Sequence, residues 1–248
     1  MVERAQSWHP SAAYLYTVHL DGPSLAWEYL RRNPDYQRDW QRQGHEVPDP
    51  QRWGLRLFED PQVDARSLQP VWQAEIDAAI PVHVDDDPPA DAAPFCLWDI
   101  PGHKCLSDDG QQLRLTAFVG GQVARLALAR NLEDGMPYSY AVRAGRHRRG
   151  HWRAIESQLA VLDATPVLAR PRPHRTALAH MHTLQGLDGV LAGASQREVA
   201  AAVFGHHTVA ERWHADGDLR GQVRRLIRGG HALMRGGYRR LLEIGIPA

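Results

Sequence analysis

The sequence predicts an α+β protein with a small, mainly helical N-terminal domain, an antiparallel β segment in the middle and a helical C-terminal region. Three observations support this. Apolar pairs at i, i+4 spacing occur early in the chain (Leu25 with Tyr29, Tyr36 with Trp40). Strict alternation runs from Leu113 to Leu128 around Gly120-Gly121. From His151 onward the apolar spacing returns to every three or four residues. The 248 residues are 43% hydrophobic and 23% charged, which supports a buried core and excludes wholesale disorder. That length fits one large domain or two to three small ones. The expected divisions are 1–65, a linker over 66–94, a β segment over 95–148 and a helical domain over 149–248 with its core at 175–243.

In the N-terminal domain, Ser24 is the expected cap of a helix through Arg32, and Asn33-Pro34 reads as an N-cap followed by proline at the first helical position. Trp53, Leu55 and Leu57 alternate like a short strand. Trp27, Tyr29, Tyr36 and Trp40 are the candidate interdomain or partner-binding residues, because exposed aromatics anchor interfaces. Their helical spacing favours a small core over an exposed patch. In the linker, Val71–Ile80 reads as a short helix. Asp85-Asp86-Asp87-Pro88-Pro89 reads as solvated chain, with no spaced acidic ligand to make it a cation site.

The β segment starts at Phe95-Cys96-Leu97-Trp98. Asp109-Gly110 is a tight-turn signal, and Tyr138–Arg143 supplies a further strand. The sheet is expected to be antiparallel with one buried face. Farther on, Trp152, Ile155, Leu159 and Leu162 mark a helix, and Pro166, Pro171 and Pro173 mark a linker. Arg175 to Leu191 is another helix, ended near Gly193.

The charge pattern carries the functional reading. Residues 1–100 hold 8 Arg and 17 Asp plus Glu, a net −9; residues 101–248 hold 21 Lys plus Arg and 12 Asp plus Glu, a net +9. Such a split points the basic part at a polyanion, and also allows the acidic half to mask it. Ser195-Gln196-Arg197-Glu198 has the form of a capping box, opening a short Ala-rich helix that stops at Gly205. Asp218 is the expected cap of a second helix, Leu219 to about Arg228. At 100° per residue, Leu219, Val223, Leu226 and Ile227 share one arc, and Arg220, Arg224, Arg225 and Arg228 occupy the rest. From Leu219 to Arg240 there are seven arginines and no carboxylate. A one-signed face is self-repelling and calls for an anionic partner. Guanidinium groups suit phosphate oxygens and the guanine edge, and a helix fits the major groove of DNA. The candidate DNA contacts are Arg220, Arg224, Arg225 and Arg228, with Arg235, Arg239 and Arg240 on the flank. The 13 residues from Gly205 to Gly217 exceed the 3–4 of a standard helix-turn-helix turn.

Other classes find little support. Fourteen histidines suggest an enzyme, but His180 and His182 lie about 200° apart on a helix. No phosphate loop, nucleophile elbow or paired carboxylate with a nearby base appears, so no catalytic role is expected. Cys96 and Cys105 lack the partners of a zinc set and read as reduced thiols, so neither metal nor cofactor is expected. No stretch approaches the roughly 18 apolar residues of a membrane span, and Met1 to Ser11 has no signal-peptide core, which makes a cytoplasmic location the expectation.

Two runs resemble a known family. Trp27-Glu28-Tyr29-Leu30-Arg31-Arg32-Asn33-Pro34-Asp35-Tyr36 is similar to a proteobacterial transcriptional-regulator-like domain. Ser195–Gly205, Trp213-His214, Leu219-Arg220, Val223–Ile227 and Gly236–Leu242 resemble its partner, a DNA-binding domain with an extended-turn helix-turn-helix, formerly a domain of unknown function. The β segment from Leu97 to His103 onward goes with them. The resemblance implies a positive face that binds DNA and another that packs on the N-terminal domain. It also implies activation of genes for transfer of integrative and conjugative elements or for type VI secretion. The expected partners are double-stranded promoter DNA, RNA polymerase, a small antiactivator protein and further copies of the chain, with no membrane. The alternative is a protein-binding adaptor or antiactivator that does not bind DNA. This chain departs from the antiactivator pattern, because it has both domains and a basic C-terminal end.

Overall fold

The computed structural model describes residues 8–42, 49–73, 79–108, 110, 112–119, 122–142, 155–156, 158–162, 175–214 and 217–243. The turn at Asp109, the Gly120-Gly121 loop, Arg143, Trp152 and the Pro166–Pro173 linker lie outside these residues.

The N-terminal part opens with a 3₁₀ segment, Ser11–His19, followed by α1 (Gly22–Leu30) and α2 (Pro34–Gln41). Asp21, not Ser24, caps α1: its carboxylate accepts from the Ser24 N–H at 3.1 Å. Ser24 is instead buried inside the first turn. Asn33 caps α2 and Pro34 takes the first helical position, as its fixed φ favours. The strand expected at Trp53–Leu57 is absent. Trp53 ends a 3₁₀ turn (Pro50–Trp53), Leu55 makes an isolated bridge to Trp72, and Leu57 is exposed. Alternation over three residues was too short to hold a strand without a neighbouring ladder.

The middle of the chain is a five-stranded sheet in the order β2-β3-β4-β1-β5. Its strands are β1 (Ile80–Val84), β2 (His103–Asp108), β3 (Leu113–Val119), β4 (Gln122–Leu128) and β5 (Tyr138–Tyr140). The β3–β4 hairpin pairs Val119 with Gln122, which leaves the two-residue Gly-Gly connection read from sequence. Two corrections follow. Ile80, expected at the end of a helix in a linker, begins a central strand; residues 74–78 of that helix lie outside the described residues. Because β1 runs parallel to β4, the sheet is mixed and not antiparallel throughout.

The sheet is also covered on both sides. One face carries Ile80, Val82, Leu115, Leu126 and Leu128, packed with Phe95 and with Ile155 from α3, described as helical at 155–156 and 158–162. On the other face, Arg114 and Thr116 are buried as well. Arg125 there reaches Gln69 at 2.7 Å and Ser24 at 3.0 Å, and pairs with Asp21. A polar face reads as solvent-facing until a second body covers it.

The C-terminal part consists of α4 (Arg175–Leu191), α5 (Gln196–Phe204), α6 (His206–Arg212), α7 (Asp218–Ala232), a wide π-turn (Leu233–Gly237) and α8 (Arg239–Glu243). These helices do not form a separate core. Leu25, Trp27, Tyr29 and Tyr36 from the N-terminal part join Leu184, Leu187, Val199, Val223 and Tyr238 in one cluster. The first and last parts of the chain thus fold as one body, with the sheet docked on it.

A buried charge network ties α1 to α4. Glu28 has no exposed side-chain surface and accepts from Arg31 at 2.7 Å, from Arg32 at 2.6 Å and from the Ala65 N–H at 2.8 Å. Arg32 also forks onto Asp188 at 2.6 and 2.8 Å, and Tyr14 donates to Asp188 at 2.7 Å. Burial opposes the charged form of both carboxylates. For Glu28, Arg32 and Arg31 outweigh it; for Asp188, Arg32 does. Both carboxyls are therefore held below their usual range.

Candidate nucleic-acid interface

The capping box at α5 forms as its spacing dictates. The Glu198 N–H donates to Ser195 Oγ at 3.3 Å, and the Ser195 N–H donates to Glu198 Oε2 at 2.7 Å. Gly205, at φ 88°, ends the helix in a conformation that a Cβ disfavours. The long connection to α7 is not slack, because it holds α6, whose Val209 is buried in the core.

Asp218 does not cap α7. Gly217 occupies that position, and Asp218 is the first helical residue, its carboxylate bonded to Arg212 at 2.5 Å. A Cβ at Gly217 would lie 2.8 Å from the Arg212 carbonyl oxygen, so the turn into α7 requires glycine.

α7 buries Leu219, Val223 and Gly230 against α4 and α5. Leu226 and Ile227 are half-buried beside them. Gly230 lets α7 cross α4 closely, since a Cβ there would meet Leu187 Cβ at 3.1 Å. Opposite that stripe, Arg224, Arg225 and Arg228 are exposed. By helical periodicity they span an arc of about 100°. Among the described residues none of the seven arginines from Arg220 to Arg240 has a carboxylate partner. Among the described residues the acidic half does not cover this arc. The N-terminal body packs instead on α4, the wide turn and α8.

The other four arginines are placed differently. Arg220 is half-buried, with its guanidinium over the Trp213 ring at 5.8 Å and its Nε inside without a partner. It belongs to the packing of the connection between α6 and α7 as much as to the surface. Arg235 is exposed in the wide turn. Arg239 bonds the Arg52 carbonyl of the N-terminal body. Arg240 is exposed on α8.

Three of the four aromatic candidates lie in the core. Trp27, Tyr29 and Tyr36 are each 0% exposed, and Trp40 is half-buried. Trp27 Nε1 donates to the Val63 carbonyl at 3.0 Å, and its ring meets Tyr36 edge-on. Tyr36 donates to the Glu59 carbonyl at 2.7 Å. Tyr29 makes the interdomain contact, with its hydroxyl 2.9 Å from His180 Nδ1 on α4. The sequence did not reveal Trp213 as the platform for Arg220, nor the bond from the Asn33 amide to the Met234 carbonyl at 3.0 Å. An aromatic followed seven residues later by arginine is a faint signal for the first.

Comparison with known families fits this geometry. Residues 7–57 match a proteobacterial transcriptional regulator-like domain. Residues 77–124 match a domain of unknown function, and residues 125–243 match a domain described as T6SS, transcription factor, DNA binding domain. The last match begins inside β4, so two family models divide one sheet. No curated protein matches the chain. No helix among the described residues is long and apolar enough to cross a membrane. The chain therefore carries the architecture of a transcription factor, with a proteobacterial transcriptional regulator-like domain at its N-terminus and a DNA-binding domain of the T6SS transcription-factor type at its C-terminus.

Proposed function

We propose that this protein is a sequence-specific, non-enzymatic DNA-binding regulator that reads promoter DNA through α7. In this reading α5 and α7 form a helix-turn-helix with an extended turn that contains α6. The observation that carries it is the exposed arc of Arg224, Arg225 and Arg228 opposite a buried apolar stripe, without a carboxylate partner among the described residues. Exposed arginines without carboxylates keep their charge available for phosphates, and their planar forks suit guanine edges. The match to a transcription-factor DNA-binding domain supports the same reading.

We assign it an activating role in the cytoplasm at genes of mobile-element transfer or secretion type, because both domains are present and the C-terminal end is basic. RNA polymerase, a small antiactivator and further copies of the chain are the partners such a role calls for. The adaptor alternative loses its main support, since Trp27, Tyr29 and Tyr36 present no surface to a partner.

The test is a double substitution, Arg224→Ala with Arg228→Ala. Each phosphate contact contributes about −0.9 to the log–log salt slope, so losing two flattens it by about 1.8. Unchanged affinity and slope would remove α7 from the interface.

A further inference from the structure

Asn33 has an amide with both ends committed to different parts of the protein. Oδ1 accepts from the backbone N–H of Asp35 at 2.9 Å and of Tyr36 at 3.4 Å, which caps α2. Nδ2 donates to the Met234 carbonyl at 3.0 Å, across 201 residues of sequence. Both residues are buried. Met234 lies in the wide turn where the helical run of α7 breaks, with Gly236 at φ 124° and the Tyr238 N–H reaching back to the Leu233 carbonyl at 2.9 Å. Carbonyls at such a break need partners from outside the helix. Two more bonds hold the same end: Tyr238 donates to the Trp53 carbonyl at 2.8 Å, and Arg239 donates to the Arg52 carbonyl.

We propose that Asn33 is a positioning residue for DNA binding. By holding Met234 it fixes the rotation and tilt of α7, so the N-terminal domain sets DNA affinity without touching DNA. Arg228 lies six residues before Met234, about 9 Å along a helix, so movement at the clamp reaches the arginine arc. The inference rests on the DNA reading above.

Asn33→Asp separates the two roles of the amide. Aspartate caps a helix as well as asparagine but has no N–H to give to Met234. In the full chain, the expected result is faster amide hydrogen exchange over 233–243 with unchanged exchange in α2. Affinity for the promoter duplex beside the protein's own gene should fall about tenfold, a size typical of coupling through a packed element. The salt slope should stay at the wild-type value, because no phosphate contact is removed. A variant with wild-type affinity, on a wild-type chain that binds the duplex, sinks the positioning role alone. An affinity loss accompanied by lost protection throughout the chain overturns that role as well. A wild-type chain that does not bind the duplex sinks the DNA reading, and this role with it.

Discussion

Replacing Glu28 with Gln tests how the N-terminal body is fastened to the C-terminal helices. Glu28 has no exposed side-chain surface and faces two guanidinium groups at 2.6 and 2.7 Å, so solvent screens the interaction little. Gln keeps the shape and an oxygen for the Ala65 N–H, but it removes the charge that Arg31 and Arg32 neutralise. Breaking a buried pair by removing one partner costs about 3–5 kcal/mol, because the other charge is left uncompensated. For a chain of this size, 1 kcal/mol moves the melting temperature by about 2–4 °C, so the variant should melt about 6–20 °C lower at pH 7. The pH dependence supplies an internal control. The Glu28 carboxyl is held below its usual range in the folded chain, so the unfolded chain binds more protons in acid. Its contribution is complete above the ordinary carboxylate pKa and is lost as pH falls through the folded value. The gap between wild type and variant should therefore close below about pH 4. Thermal melts followed by circular dichroism at several pH values would show this. A variant melting within about 2 °C of wild type at pH 7 refutes the argument that this network fastens the two parts together.

Three further outcomes are expected. Burial holds His180 and His182 below the ordinary histidine pKa, so the unfolded chain takes up more protons as pH falls through about 6.5. Urea-unfolding midpoints should fall between pH 7 and pH 5.5, and replacing both histidines with Asn should flatten that part of the profile. Gly217→Ala places a Cβ 2.8 Å from the Arg212 carbonyl, so the turn must shift. A loss of about 1–3 kcal/mol in denaturant unfolding is expected, with weaker DNA binding; an unchanged midpoint would show the turn to be slack. Arg224→Ala with Arg228→Ala should leave the melting temperature near wild type, because both side chains are exposed, while flattening the salt slope as calculated above.

The parts of this protein that sequence revealed are those settled by local rules. Ser195 and Glu198 meet because their spacing places them within one turn. Arg175–Leu191 and the β3–β4 hairpin follow from periodicity and from glycine. The apolar stripe of α7 and its exposed arginines were legible for the same reason. Long-range facts were not. Ile80–Val84 forms a central strand only because β4 and β5 flank it, and its short Pro81-containing run looked like chain leading into an acidic linker. Arg125 alternates as an outward residue, yet Asp21 and Gln69 arrive from the N-terminal body to cover it. The spacing of Trp27 and Tyr36 favours a core over an exposed anchor, but that Leu184 and Leu187 complete that core is a long-range fact. The Asn33–Met234 bond joins residues 201 positions apart, and no local pattern encodes it.

Sequence-dependent DNA binding by the arginine arc on α7 can be measured directly. The most direct test is a titration of this 248-residue chain against the duplex beside its own gene and against a scrambled duplex, from about 50 to 200 mM salt. Tighter binding to the native duplex is expected, with a log–log slope at least as steep as about −2.7, the share of three phosphate contacts. No binding at the lowest salt, or equal binding to both duplexes, would contradict it.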